Sequence, residues 1–294
     1  MYLGVVLAVL AAIAYTLNTL FITLLGRKSN IAAIKYILLI SVILNVALHF
    51  IVYGSFLPNL ASWGNAVLLS ISAIAGYVLG YVTIIAALPL VGPQFVLLIS
   101  TTQTVASFIA GWAFLRESQE LVGIVYSAFI VAGIVLVILS KRISIPQRRH
   151  FTKGLLLSLA LAGLQTVSQL LSKKALMSGV TPISANVFRL LVATVVVFAI
   201  ALFASRTVPI RACEFTVKEW KYIGLAAVTG PVLGIFLSFN ALTRMDLGIA
   251  AALFQLSPAF MLIIEKILFK ERIRAMAILG TAIALSGATL LALL

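Results

Sequence analysis

The stretch Leu247–Leu293 is two apolar runs joined by a short charged turn, Lys270-Glu271-Arg272-Ile273-Arg274. Each run is long enough to cross a bilayer, since ~20 helical residues span its ~30 Å hydrocarbon core. Moved back by 154 positions without a gap, the stretch falls on a second such hairpin, Pro93–Leu139, with Glu271 on Glu117 and Gly287 on Gly133. The same shift carries Gly230-Pro231-Val232-Leu233-Gly234 onto Gly76-Tyr77-Val78-Leu79-Gly80, Ala241-Leu242 onto Ala87-Leu88, and Arg189 onto Lys35. The first apolar run of each half needs a shift of 150, which places Gly154 on Gly4 and Thr166 on Thr16. Chance matches of Leu and Ala are common in apolar sequence. Glycines, glutamates and cations in one register are what make this an internal repeat.

Ten apolar segments follow one another, at roughly 2–25, 31–54, 64–88, 94–115, 120–140, 154–176, 181–205, 219–242, 247–269 and 275–294. Charged residues make up 10% of the chain, against ~25% in soluble domains, so this is a polytopic membrane protein. Lipid satisfies no open backbone, and runs of this length read as helices. The expected fold is all-α, ten transmembrane helices in two inverted five-helix repeats. Residues 1–140 form the first repeat, 141–153 a basic connecting loop, and 154–294 the second. Five is an odd number, so the halves cross the membrane in opposite senses. Such repeats place a central site at their interface, where one half rocks against the other.

Sixteen of the 21 Lys and Arg lie in or beside connections that follow odd-numbered segments; the others are Arg116, Lys173, Lys174, Arg189 and Arg244. The positive-inside rule then puts both termini outside. The net charge of +14 is that of turns anchored to an anionic leaflet, so the bilayer is the expected partner and nucleic acid is not. The first segment is apolar from the start and reads as a retained span rather than a signal peptide. One cysteine, Cys213, allows no intrachain disulfide or cysteine metal cage, and His49 and His150 lie far apart. No metal or cofactor is expected. There is no Walker A pattern, no HExxH and no pair of intramembrane aspartates, which leaves neither ATP hydrolysis nor another enzymatic reading supported. Monomer and homodimer are both open.

Polar side chains inside spans avoid lipid and face protein or a water-filled cavity. In segment 6, Gln165, Ser168, Gln169 and Ser172 stand at i, i+3, i+4 and i+7, one helical stripe. Segment 1 offers Tyr15, Asn18 and Thr19, and segment 3 Tyr77 and Tyr81. Segment 4 holds the run Ser100-Thr101-Thr102-Gln103-Thr104, segment 8 Ser238 and Asn240, segment 9 Gln255 and Ser257. Segments 5 and 10 are almost wholly apolar. A ring of segments 1, 3, 4, 6, 8 and 9 around a cavity follows. The cavity candidates are Tyr15, Asn18, Tyr77, Tyr81, Thr101, Gln103, Gln165, Gln169, Asn240 and Gln255. Each competes with a plain structural role, an interhelical hydrogen bond worth ~0.6 kcal/mol or, for tyrosine, a place in an interfacial belt. Amides combine donors and acceptors and suit a polar, near-neutral ligand.

Gly76 and Gly80, with Gly230 and Gly234, form GxxxG pairs, expected to bring helices into close contact as a structural role, the alternative being a sliding surface between rocking halves. Pro258 frees a mid-helix carbonyl and is the expected kink or hinge beside Gln255. Thr104 takes its place in segment 4, so the kink is expected in segment 9. Glu117 and Glu271 are expected to pair with cations at helix ends. Lys35 and Arg189, early in segments 2 and 7, either snorkel to the interface or attract an anionic group. No acidic residue stands near the centre of any segment, which argues against exchange of organic cations for protons and for a neutral, zwitterionic or anionic solute.

From Leu256-Ser257-Pro258 to Leu268-Phe269-Lys270-Glu271-Arg272, followed by Gly280 and Gly287, the chain resembles the EamA-like members of the drug/metabolite transporter superfamily. Their pattern is a mid-helix Pro, a turn ending in Glu-Arg and a Gly-spaced last helix. The Ala-Leu ends of segments 3 and 8 and Arg189 early in segment 7 fit as well. Departures are Thr104 for Pro, Arg116 where Gly is usual, and Ala14-Tyr15-Thr16 where many relatives carry Trp. The resemblance implies the ten-helix inverted fold and the same cavity ring. It also implies cytoplasmic termini, against the charge count, by which both termini are expected outside. The expected function is transport of a small polar metabolite (amino acid, nucleoside, sugar derivative or similar) across the cell membrane by alternating access, with export the expected direction. The competing reading is a flippase for a lipid-linked sugar or lipid, which would need a lateral opening between helices.

Overall fold

The computed structural model describes residues 2–25, 30–118, 120–140, 148–205, 215–268 and 274–293. Glu271 and most of the basic connecting loop lie outside the described residues. Those described are helical almost throughout, with no strand among them. Ten helices are long and apolar enough to cross a membrane: Tyr2–Leu24, Ala33–Tyr53, Trp63–Ile84, Val96–Leu115, Leu121–Ser140, Phe151–Met177, Pro182–Ile200, Val217–Leu242, Leu247–Leu268 and Ala275–Leu293, numbered spans 1 to 10. Helical backbone at span 6 already begins at Arg148, ahead of the expected start at 154.

Local signals set the helix starts. Ser62 accepts from the Asn65 N–H at the head of span 3. Thr216 and Glu219 form a reciprocal capping box at the head of span 8. Aromatic side chains mark both membrane boundaries, with Trp63 and Trp112 exposed at one end and Tyr36, Phe215 and Trp220 clustered at the other (Tyr36–Trp220 centroids 4.9 Å).

The repeat is visible atom by atom. Span 1 lies on span 8 as span 6 lies on span 3. A Cβ on Gly234 would sit 2.7 Å from Tyr15 Cε1, and one on Gly80 3.1 Å from Gln165 Nε2. Gly230 abuts Asn18 as Gly76 abuts Ser168, and Gly4 abuts Met245 as Gly154 abuts Val91. Thr16 Oγ1 donates to Ala12 O and Ser257 O; Thr166 Oγ1 donates to Ala162 O and Gln103 O. Every pair obeys the shifts of 150 and 154. The glycine pairs of spans 3 and 8 therefore seat the first span of the opposite half. Backbone meets backbone between spans 5 and 10, where Gly133 faces the Gly280 carbonyl and Gly287 the Tyr126 carbonyl.

Spans 3 and 8 each contain a π-helical stretch, Ile74–Leu79 and Val228–Gly234, beginning 154 residues apart. Spans 4 and 9 are interrupted at Thr101 and at Gln255, again 154 apart. The kink expected in segment 9 is thus present in both halves, from different causes. In span 9, Pro258 offers no N–H to Phe254 O, which accepts from Ser257 Oγ at 3.3 Å. In span 4, the hydroxyls of Ser100, Thr101 and Thr102 each donate at 2.7 Å to the carbonyl three residues back, competing with the helix for its own acceptors. Between spans 3 and 4, helical geometry persists over Gly80–Ser100. The chain reverses there beside span 6, passing Gly154 at Val91 and returning past Thr166 at Gln103.

The main apolar cluster fills the half of the bundle that holds both chain ends. Val5, Ala8 and Ala12 of span 1 meet Leu69, Ala175, Phe239, Leu242, Leu247 and Leu253 there.

Candidate functional site

Beyond this plug lies a cavity of about 340 Å³ in mid-bundle, extending toward the opposite end along Ile84 and Leu161. Spans 1, 3, 4, 6, 8 and 9 line it, as expected, and span 7 joins them through Arg189. Of the expected residues, Tyr15, Asn18, Tyr77, Tyr81, Gln103, Gln165, Gln169, Gln255 and Arg189 stand in the lining, with Gly76, Gly80 and Gly230. Thr101, Asn240 and Lys35 do not. Thr101 turns its hydroxyl onto its own helix. Asn240 donates to Phe236 O one turn back and receives Arg244. Lys35 is half-buried away from the cavity. Gly234 sits behind Tyr15, and Pro258 lies outside the lining.

Several polar side chains, mostly amides, complete the interrupted backbone. A proline at 231 withholds an N–H from the carbonyls four and five residues back. Ser41 Oγ reaches Ala227 O at 3.3 Å, and Asn18 Nδ2 reaches Ala226 O at 2.8 Å. Asn186 Nδ2 bonds Pro231 O at 2.7 Å and Asn45 Oδ1 at 3.0 Å. Gln165 Nε2 approaches Gly76 O in the other π-helical stretch at 3.4 Å. Gln255 Nε2 bonds Ser100 O at 3.2 Å, joining the two span breaks across the halves. Asn186 and the stripe Ser41, Asn45 and His49 were not among the expected site residues. The stripe left a signal, three polar residues at i, i+4 and i+8 in segment 2. His49 links Ser55 O and Ser184 Oγ at 2.6 and 2.9 Å.

Arg189 does not snorkel. Only 4% of it is exposed. Its Nη2 donates to Ser168 Oγ at 2.8 Å, and its guanidinium lies 5.0 and 5.1 Å from the ring centroids of Tyr77 and Phe239. Its Nε is buried without an acceptor, as Gln169 Oε1 is without a donor. Tyr15 adds a hydroxyl bonded to Ser238 Oγ at 2.9 Å and an edge-on contact with Phe254.

At the plugged end, Glu117 pairs with Lys173 of span 6, both side chains under a tenth exposed. Glu117 Oε2 also accepts the Leu247 N–H at 3.0 Å, and Lys173 Nζ donates to Met245 O at 2.6 Å. This cluster ties the turn after span 4 to span 6 and to the turn after span 8. Burial and the Glu117 carboxylate hold the neighbouring Asp246 carboxyl above its ordinary pKa, with Lys173 acting in the other direction.

Ten apolar helices in an inverted repeat, folded about a polar cavity at the junction of the halves, define a membrane transporter by architecture. The model of the EamA-like transporter family matches residues 2–139 and again residues 152–293. The chain belongs to that family, within the drug/metabolite transporter superfamily, and is a multi-pass membrane transporter. A solved structure titled only as the crystal structure of a protein aligns with a TM-score of 0.78 over 99% of this chain and 96% of that one. At 14% identity it is evidence for the fold alone. No curated protein matched the chain.

Proposed function

We propose that this chain exports a small polar metabolite across the cell membrane, its two halves alternating access about the cavity. The observation that carries the reading is a cavity lined by side chains of both halves and shut at the end holding the chain termini. By the charge count that end faces outside, so the present conformation loads from the inside, which suits export. The volume sits at the lower end of the ~300–1,000 Å³ of small-molecule sites, and supports a metabolite over a lipid-linked sugar. The test is efflux of a metabolite panel from proteoliposomes holding the purified protein. Saturable flux, abolished when Gly230→Leu fills the space beside Asn18, is expected. Absence of flux for the whole panel, from protein shown to be folded, would overturn the reading.

A further inference from the structure

Resting on that transport reading, we infer that the cavity is built for a small hydroxycarboxylate, its anionic group held by Arg189. The lining presents one cation, and no acidic side chain lines the cavity among the described residues. A charge this deep in a membrane protein is costly unless it is paired. The protein offers it one hydroxyl, Ser168, and two ring faces, and leaves Nε without an acceptor. Room for the guanidinium is itself maintained. A Cβ on Gly76 would lie 3.1 Å from Arg189 Nη2 and would collide with Ser168 Oγ. A planar guanidinium fork matches a carboxylate in shape and charge.

The class of anion follows from charge and size. A phosphomonoester carries about −1.5 to −2 at neutral pH, more than one arginine balances. A carboxylate leaves the site neutral. The second unmet group, Gln169 Oε1, is an acceptor, so the solute supplies a hydrogen-bond donor as well. No carboxylate among the described residues lines the cavity to balance an ammonium, which favours a hydroxyl over an amine. The volume of about 340 Å³ equals about eleven waters at ~30 Å³ each, room for roughly ten non-hydrogen atoms. Tyr15, Tyr81 and Phe254 provide walls for a flat or apolar body.

A matched series tests this: mandelate, its neutral analogue mandelamide, its zwitterionic analogue phenylglycine, phenylacetate without the hydroxyl, and phenyl phosphate. Binding is read as ligand-induced thermal shift of the purified full-length protein, and flux is read separately in proteoliposomes. Mandelate is expected to bind at least tenfold more tightly than each of the other four. Arg189→Gln removes the preference for mandelate over mandelamide, Arg189→Lys keeps part of it, and Gln169→Leu removes the preference for mandelate over phenylacetate. If Arg189→Gln does not fold, the wild-type ranking and Arg189→Lys decide. A wild-type protein that binds mandelamide as well as mandelate, or an Arg189→Gln protein that keeps the carboxylate preference, overturns the proposal. So does a ranking led by phenylglycine or phenyl phosphate. Carboxylate-selective binding without flux would instead sink the transport reading and leave the anion site standing. Flux of neutral solutes with no carboxylate preference would do the reverse.

Discussion

Replacing Glu117 or Lys173 singly strikes the polar cluster that closes the terminus-bearing end. Lys173→Met leaves the Glu117 carboxylate, 6% exposed, with the Leu247 N–H as its remaining partner and Asp246 as a like-charged neighbour. Glu117→Gln leaves the Lys173 ammonium, 7% exposed, bonded to Met245 O. Breaking one side of a buried ion pair costs ~3–5 kcal/mol because the surviving charge stays desolvated. On the proposed alternating-access reading, the Glu117 turn, span 6 and the Met245–Leu247 turn separate when this end opens, so the cost falls on the closed conformation. Every ~1.4 kcal/mol shifts a conformational ratio tenfold, so ~3 kcal/mol enlarges the open fraction about a hundredfold. The double variant removes both charges and should recover most of that loss. The readout is labelling of Ala8→Cys by a membrane-impermeant thiol reagent, in a Cys213→Ser background. Ala8 is fully buried in the plug, so its labelling rate follows the open fraction. Both single variants should label far faster than the parent, and the double variant within about tenfold of it. Unchanged labelling in the singles, or a double variant no closer to the parent than either single, would refute the reasoning. Thr23 stands where the repeat would place a counterpart of Lys173, so the opposite end draws no such pair from span 1.

Gly76→Ala pushes a methyl group into Ser168 Oγ and the Arg189 guanidinium; flux should fall at least tenfold with the helical content unchanged, whereas Gly163→Ala, with nothing within 4 Å, should match wild type. Arg116 ends span 4 in left-handed backbone at φ 56°, so Arg116→Gly should raise unfolding stability by about 1 kcal/mol, read in a denaturant titration. The raised Asp246 pKa means the folded state holds that proton more tightly than the unfolded chain. Its contribution to stability is full below the ordinary aspartate range and is lost as pH rises through the raised value. Asp246→Asn should remove that loss, seen as a flatter thermal midpoint from acidic to neutral pH. Pro258→Ala should impair flux more than Thr104→Ala, because the Thr104 hydroxyl makes no hydrogen bond while Pro258 underlies the break in span 9; equal flux in the two would contradict this.

The repeat, the ten spans and most of the cavity ring were legible because each leaves a periodic trace: a constant shift, an apolar run, a polar stripe one helical face wide. The depth of Arg189 was less so. Counted from Pro182, it lies seven residues in, ~10 Å along the axis, which from sequence alone fits an interface as well as an interior. Thr101 and Asn240 were read as cavity residues because they are polar in mid-span. Both bond carbonyls of their own helix, an outcome that composition and spacing do not separate from an inward-facing one. The amides that complete the π-helical stretches were hidden for a related reason. Asn186 answers the Pro231 carbonyl itself, on another helix, and no local signal in span 7 announces that need.

The two halves break their helices at equivalent positions by different chemistry, and that difference locates the asymmetry of the site. Span 4 uses three hydroxyls and span 9 a proline, yet the breaks meet through Gln255 and Ser100 O. The backbone therefore retains a pseudo-two-fold relation even where the side chains have diverged. Charge does not retain it. The repeat pairs Arg189 with Lys35, but Arg189 is buried at the cavity wall between Tyr77 and Phe239, while Lys35 is only half-buried and outside it. An inverted repeat lets the halves exchange conformations. On the proposed reading, a single cation in the cavity lining among the described residues keeps the solute's anionic group with the second half in either conformation. On that reading a Cβ at Gly76 meets the Arg189 guanidinium as well as Ser168 Oγ, whereas one at Gly80, Gly230 or Gly234 meets only uncharged groups, so Gly76→Ala should cost more carboxylate selectivity than an alanine at any of the other three.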